Sequence, residues 1–196
     1  VELETIAFDP EELLSDTASL FTAQALDKGL NLYCSIAPDI PQQLIGDPTR
    51  LKQVLLNLLG NAFKFTERGY IAMDISGLPI KGQHTRWQLS FSVTDTGIGI
   101  APEARENLFR SFTQADSEQD NGSCFRFTLE LPVAQNKEEP AITSAASAPN
   151  ALLIAQQPRA QLTYRLQLQR LGCRVTSRTL ASEEAAITIQ DCDLLI

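Results

Sequence analysis

The sequence predicts an α/β fold, a two-layer sandwich in which helices cover one face of a β-sheet. Four short runs alternate apolar and polar residues, which is typical of strands with one buried face; they span 30–36, 71–75, 87–93 and 125–131. Two longer segments repeat apolar residues every three or four positions, as amphipathic helices do. Because such strands need cover on one side only, the helices are expected to form the second layer.

Composition excludes several classes of protein. The chain carries 16 Lys and Arg against 24 Asp and Glu, a net charge of −8, which disfavours a nucleic-acid partner bound through its phosphates. Hydrophobic residues make up 43%, enough for a buried core, and no apolar stretch approaches the roughly 20 residues that cross a bilayer. The four cysteines are scattered without a CxxC pair, so we expect free thiols in a reducing, cytoplasmic setting.

The first helix signal begins at Asp9, a suitable N-cap, with Pro10 at the first helical position. Gly29 stands where a C-terminal cap is expected. The apolar stripe between them consists of Leu14, Ala18, Phe21 and Ala25. We therefore predict one helix from Pro10 up to Gly29.

The composition changes at the segment PVAQNKEEPAITSAASAPN, which is rich in Ala, Ser, Pro and Glu and has no helical or strand period. Such a stretch is typical of a linker. We therefore predict a first domain over 1–133, a linker over 134–150 and a second, partial domain over 151–196. In the last of these, apolar runs alternate with helical stretches around 161–171 and 183–189, which predicts a parallel sheet with helices between its strands.

The segment GDPTRLKQVLLNLLGNAFKFTE predicts a helix with two distinct faces, capped by Asp47 and begun by Pro48. The apolar face consists of Leu51, Val54, Leu55, Leu58, Leu59 and Ala62, and the polar face of Arg50, Gln53, Asn57, Asn61 and Lys64. A polar helix face is ordinarily a solvated surface. Asparagine carbonyls one turn apart, followed by a lysine, would also suit a magnesium ion and the phosphates that it bridges. Spacing alone leaves both interpretations open.

A second candidate motif, DTGIGI, ends the strand run WQLSFSV. Its glycines, Gly97 and Gly99, permit close approach of a ligand, and the carboxylate of Asp95 can accept a hydrogen bond from an exocyclic amine. A plain turn after a strand gives the same letters, so this motif on its own does not decide between a turn and a site.

Together these segments resemble the ATP-binding domain of bacterial hybrid sensor histidine kinases, in the superfamily shared with gyrase, mismatch-repair ATPases and a heat-shock chaperone. DPTRLKQVLLNLLGNAFKFTERG is similar to the N box, DTGIGI to the first glycine box and LFRSFTQAD to the F box. The order and spacing of all three motifs agree. The resemblance covers residues 1–133 and implies the ATP-binding sandwich known as the Bergerat fold.

The resemblance implies ATP and Mg²⁺ as cofactors and gives the N-box residues their roles. Asn61, assisted by Asn57, would hold the magnesium ion. Lys64 would neutralise phosphate charge, and Phe65 would lie against the nucleoside. Other branches of the superfamily carry a water-activating glutamate near position 57, so an asparagine there favours phosphoryl transfer over hydrolysis.

The resemblance also implies how the base would be bound. Asp95 would accept from the adenine amino group, directly or through water, and Gly97 and Gly99 would let the backbone fold over the base. The other residues of this implied nucleotide site are Ile98, Ile100, Phe109 and Phe112. The last two would pack beneath a mobile lid, and an ordinary place in the core is the alternative for them.

Two departures from the family pattern are visible. After FTQADSEQDNGSC the chain passes directly into FRFTLEL, which resembles the final strand, without the second glycine box, the helix and the strand expected between them. Either residues are omitted or the lid has been lost, and alternating strands that still require cover favour omission. The phosphoacceptor histidine is also missing, because the one histidine, His84, lies in the turn segment KGQHTRW; we therefore expect no catalytic residue in this chain.

Residues 151–196 resemble the start of a response-regulator receiver domain, which has a flavodoxin-like fold. Receivers carry two acidic residues after the first strand, where this sequence has Ala155 and Gln156, which cannot bind a metal ion as carboxylates do. The resemblance implies a docking domain that cannot accept phosphate. Any other flavodoxin-like fragment remains an alternative.

The leading functional expectation is the ATP-binding part of a cytoplasmic hybrid histidine kinase. It would donate the γ-phosphoryl group of MgATP to a histidine on a separate dimerisation domain, in a homodimeric, membrane-anchored parent enzyme that signals to a response regulator or phosphotransfer domain. The fragment alone is expected to be inactive. The alternative is a pseudokinase-type module that binds another kinase without ATP turnover; a chaperone or topoisomerase fragment is disfavoured by Asn57.

Overall fold

The computed structural model describes residues 4–99, 114–117, 122–134, 148–178 and 193–195 of the 196. The chain divides into two compact units, one of Val1–Cys34 with Ile40–Gln135 and one of Ser35–Asp39 with Asn136–Ile196. Most of the predicted linker lies outside the described residues, so the predicted domain bounds stay predictions. None of the helices in the described ranges is both long and apolar enough to cross a bilayer.

Seven strands and three helices are described before residue 134. The strands are β1 (Ile6–Phe8), β2 (Asn31–Ile36), β3 (Leu44–Gly46), β4 (Tyr70–Ile80), β5 (Gln83–Asp95), β6 (Gln114–Ser117) and β7 (Ser123–Pro132). The helices are α1 (Pro10–Ser19), α2 (Thr22–Lys28) and α3 (Pro48–Phe65). Five strands form the main sheet in the order β2-β4-β5-β7-β6, with antiparallel pairing from β4 to β6, while β1 and β3 form a separate antiparallel pair.

Helix α3 packs against β4 and β5, and α1 packs against α3. The sheet face beneath α3 is fully buried and consists of Ile71, Met73, Ile75, Leu89, Phe91 and Val93. The predicted sheet with helices over one face is therefore confirmed. The apolar residues on the same face of β7 are less buried than those of β4 and β5. Phe127 and Leu131 are only half-buried, and Leu129 is exposed.

The prediction of one helix from Pro10 to Gly29 is wrong, because the chain turns after Ser19 and starts α2 at Thr22. In that turn the ring of Phe21 stacks on Phe63 of α3, with centroids 5.0 Å apart. This long-range contact favours the break over a continuous helix. Both predicted ends are confirmed: Asp9 caps α1 through its carboxylate, and Gly29 closes α2 at φ 64°.

Helix α3 begins where its sequence predicts. The carboxylate of Asp47 accepts from the N–H of Arg50 at 2.9 Å, and Pro48 is the first helical residue. The buried residues of α3 are Leu51, Leu55, Leu58, Leu59, Ala62 and Phe63. The prediction that Val54 is buried is wrong, since its side chain is 44% exposed beside β7. Phe63, absent from the predicted face, is fully buried because it meets Phe21.

A lysine from α2 caps the carboxyl end of α3. The Nζ of Lys28 donates to the carbonyl oxygen of Phe63 at 2.6 Å and to that of Thr66 at 3.4 Å. These are acceptors at the negative end of the helix dipole. We expect Lys28→Met to lower the free energy of unfolding by about 1–2 kcal/mol in urea denaturation. Lys52→Met, which removes only the exposed pair with Asp16, is the control and should change it by less than about 0.5 kcal/mol; equal effects would contradict the capping role.

Gly60 occupies an exposed position inside α3, where an added Cβ would meet no atom within 4 Å. Glycine is less favourable than alanine in a helix interior by about 0.5–1 kcal/mol. We therefore expect Gly60→Ala to raise the free energy of unfolding by that amount. Urea denaturation measures it, and a lower stability would show that the side of α3 at Gly60 is not open.

The second unit contains β8 (Asn150–Ile154), α4 (Pro158–Arg170), β9 (Arg174–Arg178) and β10 (Leu194–Leu195). The strands lie in the order β10-β8-β9 and both pairings are parallel, as the sequence predicts. Helix α4 starts at Pro158, three residues before its predicted start, because proline is favoured at the first helical position. The helix predicted around 183–189 lies outside the described residues.

Candidate functional site

The carboxyl end of α3 meets the loop that follows β5. The N–H of Ile98 donates to the carbonyl oxygen of Phe65 at 3.4 Å. A Cβ on Gly97 would collide with that oxygen and would lie 2.9 Å from Oδ1 of Asp95. Only glycine permits this approach of the loop to the helix end. The structure thus brings four predicted site residues together.

Asp95 is the most buried charged group of this region, with 5% of its surface exposed. Its carboxylate accepts from the N–H of Gly97 at 2.8 Å and from the backbone N–H of Ser123, which lies opposite it on β7. Burial raises the pKa of Asp95 above its ordinary value of 3.8, while these N–H groups and the hydroxyl of Thr66 act to lower it. A carboxylate has about four acceptor sites, so acceptor capacity remains for a ligand amine.

Thr66 is a site residue that the sequence did not single out. It is fully buried at the end of α3, and its hydroxyl faces Asp95 but makes no hydrogen bond within the described residues. Its position directly after the aromatic end of the N-box segment was the available signal. A buried hydroxyl beside a buried carboxylate gives the site a second polar group.

The loop that begins directly after Asp95, here called the Asp95 loop, is held by contacts that the sequence also did not predict. The N–H of Tyr70 donates to Oγ1 of Thr96 at 3.0 Å, and that hydroxyl lies 3.2 Å from the carbonyl oxygen of Arg68. On the other side, a Cβ on Gly122 would overlap the carbonyl oxygen of Asp95. The end of β5 that carries the carboxylate is therefore fixed from both neighbouring strands, β4 and β7.

The predicted metal and phosphate residues lie on the exposed face of α3. Asn57, Asn61 and Lys64 follow one another at intervals of four and three residues, which places them along one side of the helix. Within the described residues neither asparagine side chain makes a hydrogen bond, so their amide oxygens are available as hard ligands of the kind that Mg²⁺ takes. The Nζ of Lys64 lies 5.2 Å from the ring centroid of Phe65.

The remaining predicted residues are only partly described. Ile98 is 65% exposed and Gly99 adopts φ 71°. Ile100, Phe109 and Phe112 lie outside the described residues. In the parts of the chain that the structure covers, no three His, Cys, Asp or Glu residues form a metal cluster.

Comparison with known proteins identifies relatives of this region. Residues 46–139, which contain α3 and the Asp95 loop, match the model of the histidine kinase-, DNA gyrase B-, and HSP90-like ATPase family. The chain is 40% identical over 115 residues to the signal transduction histidine-protein kinase BarA of Escherichia coli, covering 59% of this chain and 12% of BarA. It is 29% identical to the probable histidine kinase 3 of rice, covering 89% of this chain and 25% of the relative. The chain thus spans a quarter or less of these relatives.

The alignment with the rice kinase contains more positions than this chain can fill. It is 253 positions long, whereas 89% of 196 residues is about 174. About 79 positions of the alignment therefore face no residue of this chain. The alignment with BarA, 115 positions over 59% of this chain, shows no such excess.

A solved structure supports the assignment of the fold. The crystal structure of full-length ShkA in complex with AMPPNP matches with a TM-score of 0.72 at 26% identity, covering 91% of this chain and 41% of ShkA. The predicted α/β fold of the histidine kinase ATP-binding type is therefore confirmed, and the chain is homologous to histidine kinases over the segment that contains the site.

Proposed function

We propose that this chain is the ATP-binding part of a hybrid histidine kinase, with the adenine held at Asp95 and the phosphates along the polar face of α3. The observation that carries the proposal is the junction of α3 with the Asp95 loop. There a buried carboxylate with spare acceptor capacity stands beside Thr66, against the carbonyl of Phe65. The homology of this segment to histidine kinases, and the AMPPNP bound to ShkA, support a nucleotide as the ligand.

The polar face of α3 fits the charged half of that ligand. Asn57 and Asn61 would hold Mg²⁺ through their amide oxygens, and Lys64, one turn from Asn61, would pair with the phosphates. When bound, MgATP supplies the phosphoryl group to be transferred. The residues of this chain would position it, and the acceptor would come from elsewhere, since the one histidine of the sequence, His84, lies at the end of β5 opposite to Asp95.

The full reaction requires partners that this chain does not contain. The acceptor would be a histidine on a dimerisation domain of a homodimeric, membrane-anchored parent, with the kinase region in the cytoplasm. A response regulator or phosphotransfer domain would receive the group next. The second unit has the strand order expected at the start of a flavodoxin-like sheet, with its second strand, first strand and third strand side by side, which supports a receiver-like docking role.

A regulatory module without turnover is the second candidate. It is favoured by the absence of a second glycine box from the sequence and by the roughly 79 positions of the rice kinase alignment that face no residue of this chain. Glycine-rich backbone normally cradles phosphates in nucleotide sites, so its loss would weaken binding and prevent transfer.

Calorimetric titration with ATP, with and without Mg²⁺, tests the proposed site. We expect saturable binding that Mg²⁺ strengthens, and a loss of at least about tenfold in Mg²⁺-dependent affinity in Asn61→Ala, because one ion ligand is removed. Gln53→Ala is the matched control, an exposed amide on the same face two turns away; it should bind as the unmodified chain does. Equal affinities of the two variants would contradict the assignment of Asn61.

A further inference from the structure

The hydroxyl of Thr66 differs from that of Thr17, a second fully buried threonine of the first unit. Thr17 donates to the carbonyl oxygen of Leu13 at 2.6 Å, as threonines inside helices commonly do. Thr66 follows α3 as its C-cap with extended backbone, φ −108° and ψ 120°, so it lies outside the turns in which such a bond forms. Its Oγ1 makes no hydrogen bond within the described residues. A buried polar atom of this kind marks a place where a bound molecule is expected to supply the partner.

The backbone around Thr66 is held on two sides, which fixes where its side chain is carried. Its carbonyl oxygen accepts from Nζ of Lys28 at 3.4 Å. The preceding carbonyl oxygen, that of Phe65, accepts from the N–H of Ile98 at 3.4 Å. The side chain of Thr66 is fully buried between these contacts, and its hydroxyl faces the carboxylate of Asp95. The unpaired hydroxyl is therefore a fixed part of the site.

The side chains of Asp95 and Thr66 offer a ligand two different kinds of hydrogen bond. The ionised carboxylate of Asp95 only accepts, and it already takes bonds from the N–H groups of Gly97 and Ser123. The hydroxyl of Thr66 has one proton to donate. The site therefore presents an acceptor beside a donor, and the ligand edge that fits it carries a donor beside an acceptor. Adenine has such an edge, with its amino group next to the ring nitrogen N1, whereas guanine has an oxygen next to an N–H.

We propose that Thr66 is a specificity-determining residue of the nucleotide site. Its hydroxyl donates to N1 of adenine, directly or through one water, while Asp95 accepts from the amino group. This role rests on the proposed ATP site and adds a second point of recognition to the one at Asp95. A base with the amino group but without the ring acceptor would satisfy Asp95 and leave Thr66 unpaired. Such a base should bind less tightly, since a site built to donate a hydrogen bond rejects a ligand that lacks the acceptor.

Calorimetric titration with ATP and with 1-deaza-ATP, both with Mg²⁺, tests this role. In 1-deaza-ATP a C–H group replaces N1, while the amino group and the phosphates are kept. We expect the unmodified chain to bind ATP about three- to tenfold more tightly than the analogue, the worth of one hydrogen bond. Thr66→Val keeps the shape of the side chain and removes the hydroxyl. It should weaken ATP to the level of the analogue and should not weaken the analogue, which has no acceptor for Thr66.

Two further variants separate this role from a general loosening of the site, which would weaken both nucleotides alike. Thr66→Ser keeps the hydroxyl and should keep the preference for ATP. Thr94→Val is the matched control, because its hydroxyl donates to Sγ of Cys124 and strand alternation places it on the sheet face opposite to Asp95. A preference that the unmodified chain lacks, or that Thr66→Val keeps in full, overturns the role of Thr66 and leaves the ATP site standing. If neither nucleotide binds the unmodified chain, the proposed function is wrong and the role of Thr66 falls with it.

Discussion

Replacing Asp95 by asparagine is expected to weaken ATP binding about 10- to 100-fold. The substitution keeps the shape of the side chain but removes the charge that would accept from the adenine amino group, and hydrogen bonds to charged groups contribute about 1.5–3 kcal/mol. The acceptor is held in place by the N–H groups of Gly97 and Ser123, so little rearrangement can compensate. Calorimetric titration with MgATP measures the change.

The difference in free energy of unfolding between Asp95→Asn and the unmodified chain is expected to shift in favour of the variant as the pH rises. Burial raises the pKa of Asp95, so the folded protein holds the proton more tightly than the unfolded chain does. The stability linked to that proton is fully present below about pH 3.8 and is lost as the pH rises through the raised value. At neutral pH the unmodified chain therefore carries the cost of a buried charge, which asparagine avoids.

Urea denaturation of both proteins between about pH 4 and pH 7.5 separates these effects. The expected pattern is weaker ATP binding together with a stability difference that shifts in favour of Asp95→Asn towards neutral pH. A variant that lost binding and also lost stability at neutral pH would show that Asp95 is a structural residue, contrary to the assignment as a ligand group.

Gly97→Ala is expected to have the largest effect on the site as a whole. A Cβ here would collide with the carbonyl oxygen of Phe65 and approach Oδ1 of Asp95, so the loop must move away from α3. Overpacking against backbone costs about 1–3 kcal/mol. We expect the free energy of unfolding to fall by that amount and MgATP binding to be lost, because Asp95 and Phe65 would no longer be held together.

Gly60→Ala is the matched control for this experiment, since it adds the same methyl group where nothing lies within 4 Å. It should keep full ATP affinity and gain stability. Thermal unfolding and titration of both variants give the comparison. If Gly97→Ala binds MgATP as tightly as Gly60→Ala, the close approach of the loop to α3 is not needed for binding.

Local sequence signals predicted the elements that depend on local physics. The cap at Asp47, the proline start of α3 and the alternation along β5 all correspond to what the structure shows, whereas in β4 Ala72 is buried together with Ile71 and Met73. The resemblance of both motifs to one family also predicted that the end of α3 and the Asp95 loop belong to the same site. Periodicity identifies which side chains can be buried. Where another part of the fold packs on the apolar face, as it does on β5, the side chains are buried as predicted.

The features that sequence did not predict depend on contacts between distant residues. The break before α2 follows from Phe21 meeting Phe63, and the cap from Lys28 reaches a carbonyl 35 residues away. Val54 has the pattern of a buried residue but no described neighbour covers it. Thr66 became part of the site only because α3 ends beside β5. Such roles are set by the assembled fold, and apart from the position of Thr66 directly after the N-box segment, the local sequence patterns did not indicate them.

The most direct test of the central claim is competition of ATP and GTP against a fluorescent ATP analogue in the presence of Mg²⁺. A carboxylate at Asp95 accepts from the amino group of adenine, whereas guanine presents an oxygen acceptor at that position, which the carboxylate repels. We predict that ATP displaces the analogue and that GTP is at least about tenfold weaker. Equal displacement by both nucleotides, or by neither, would contradict an adenine nucleotide site at Asp95.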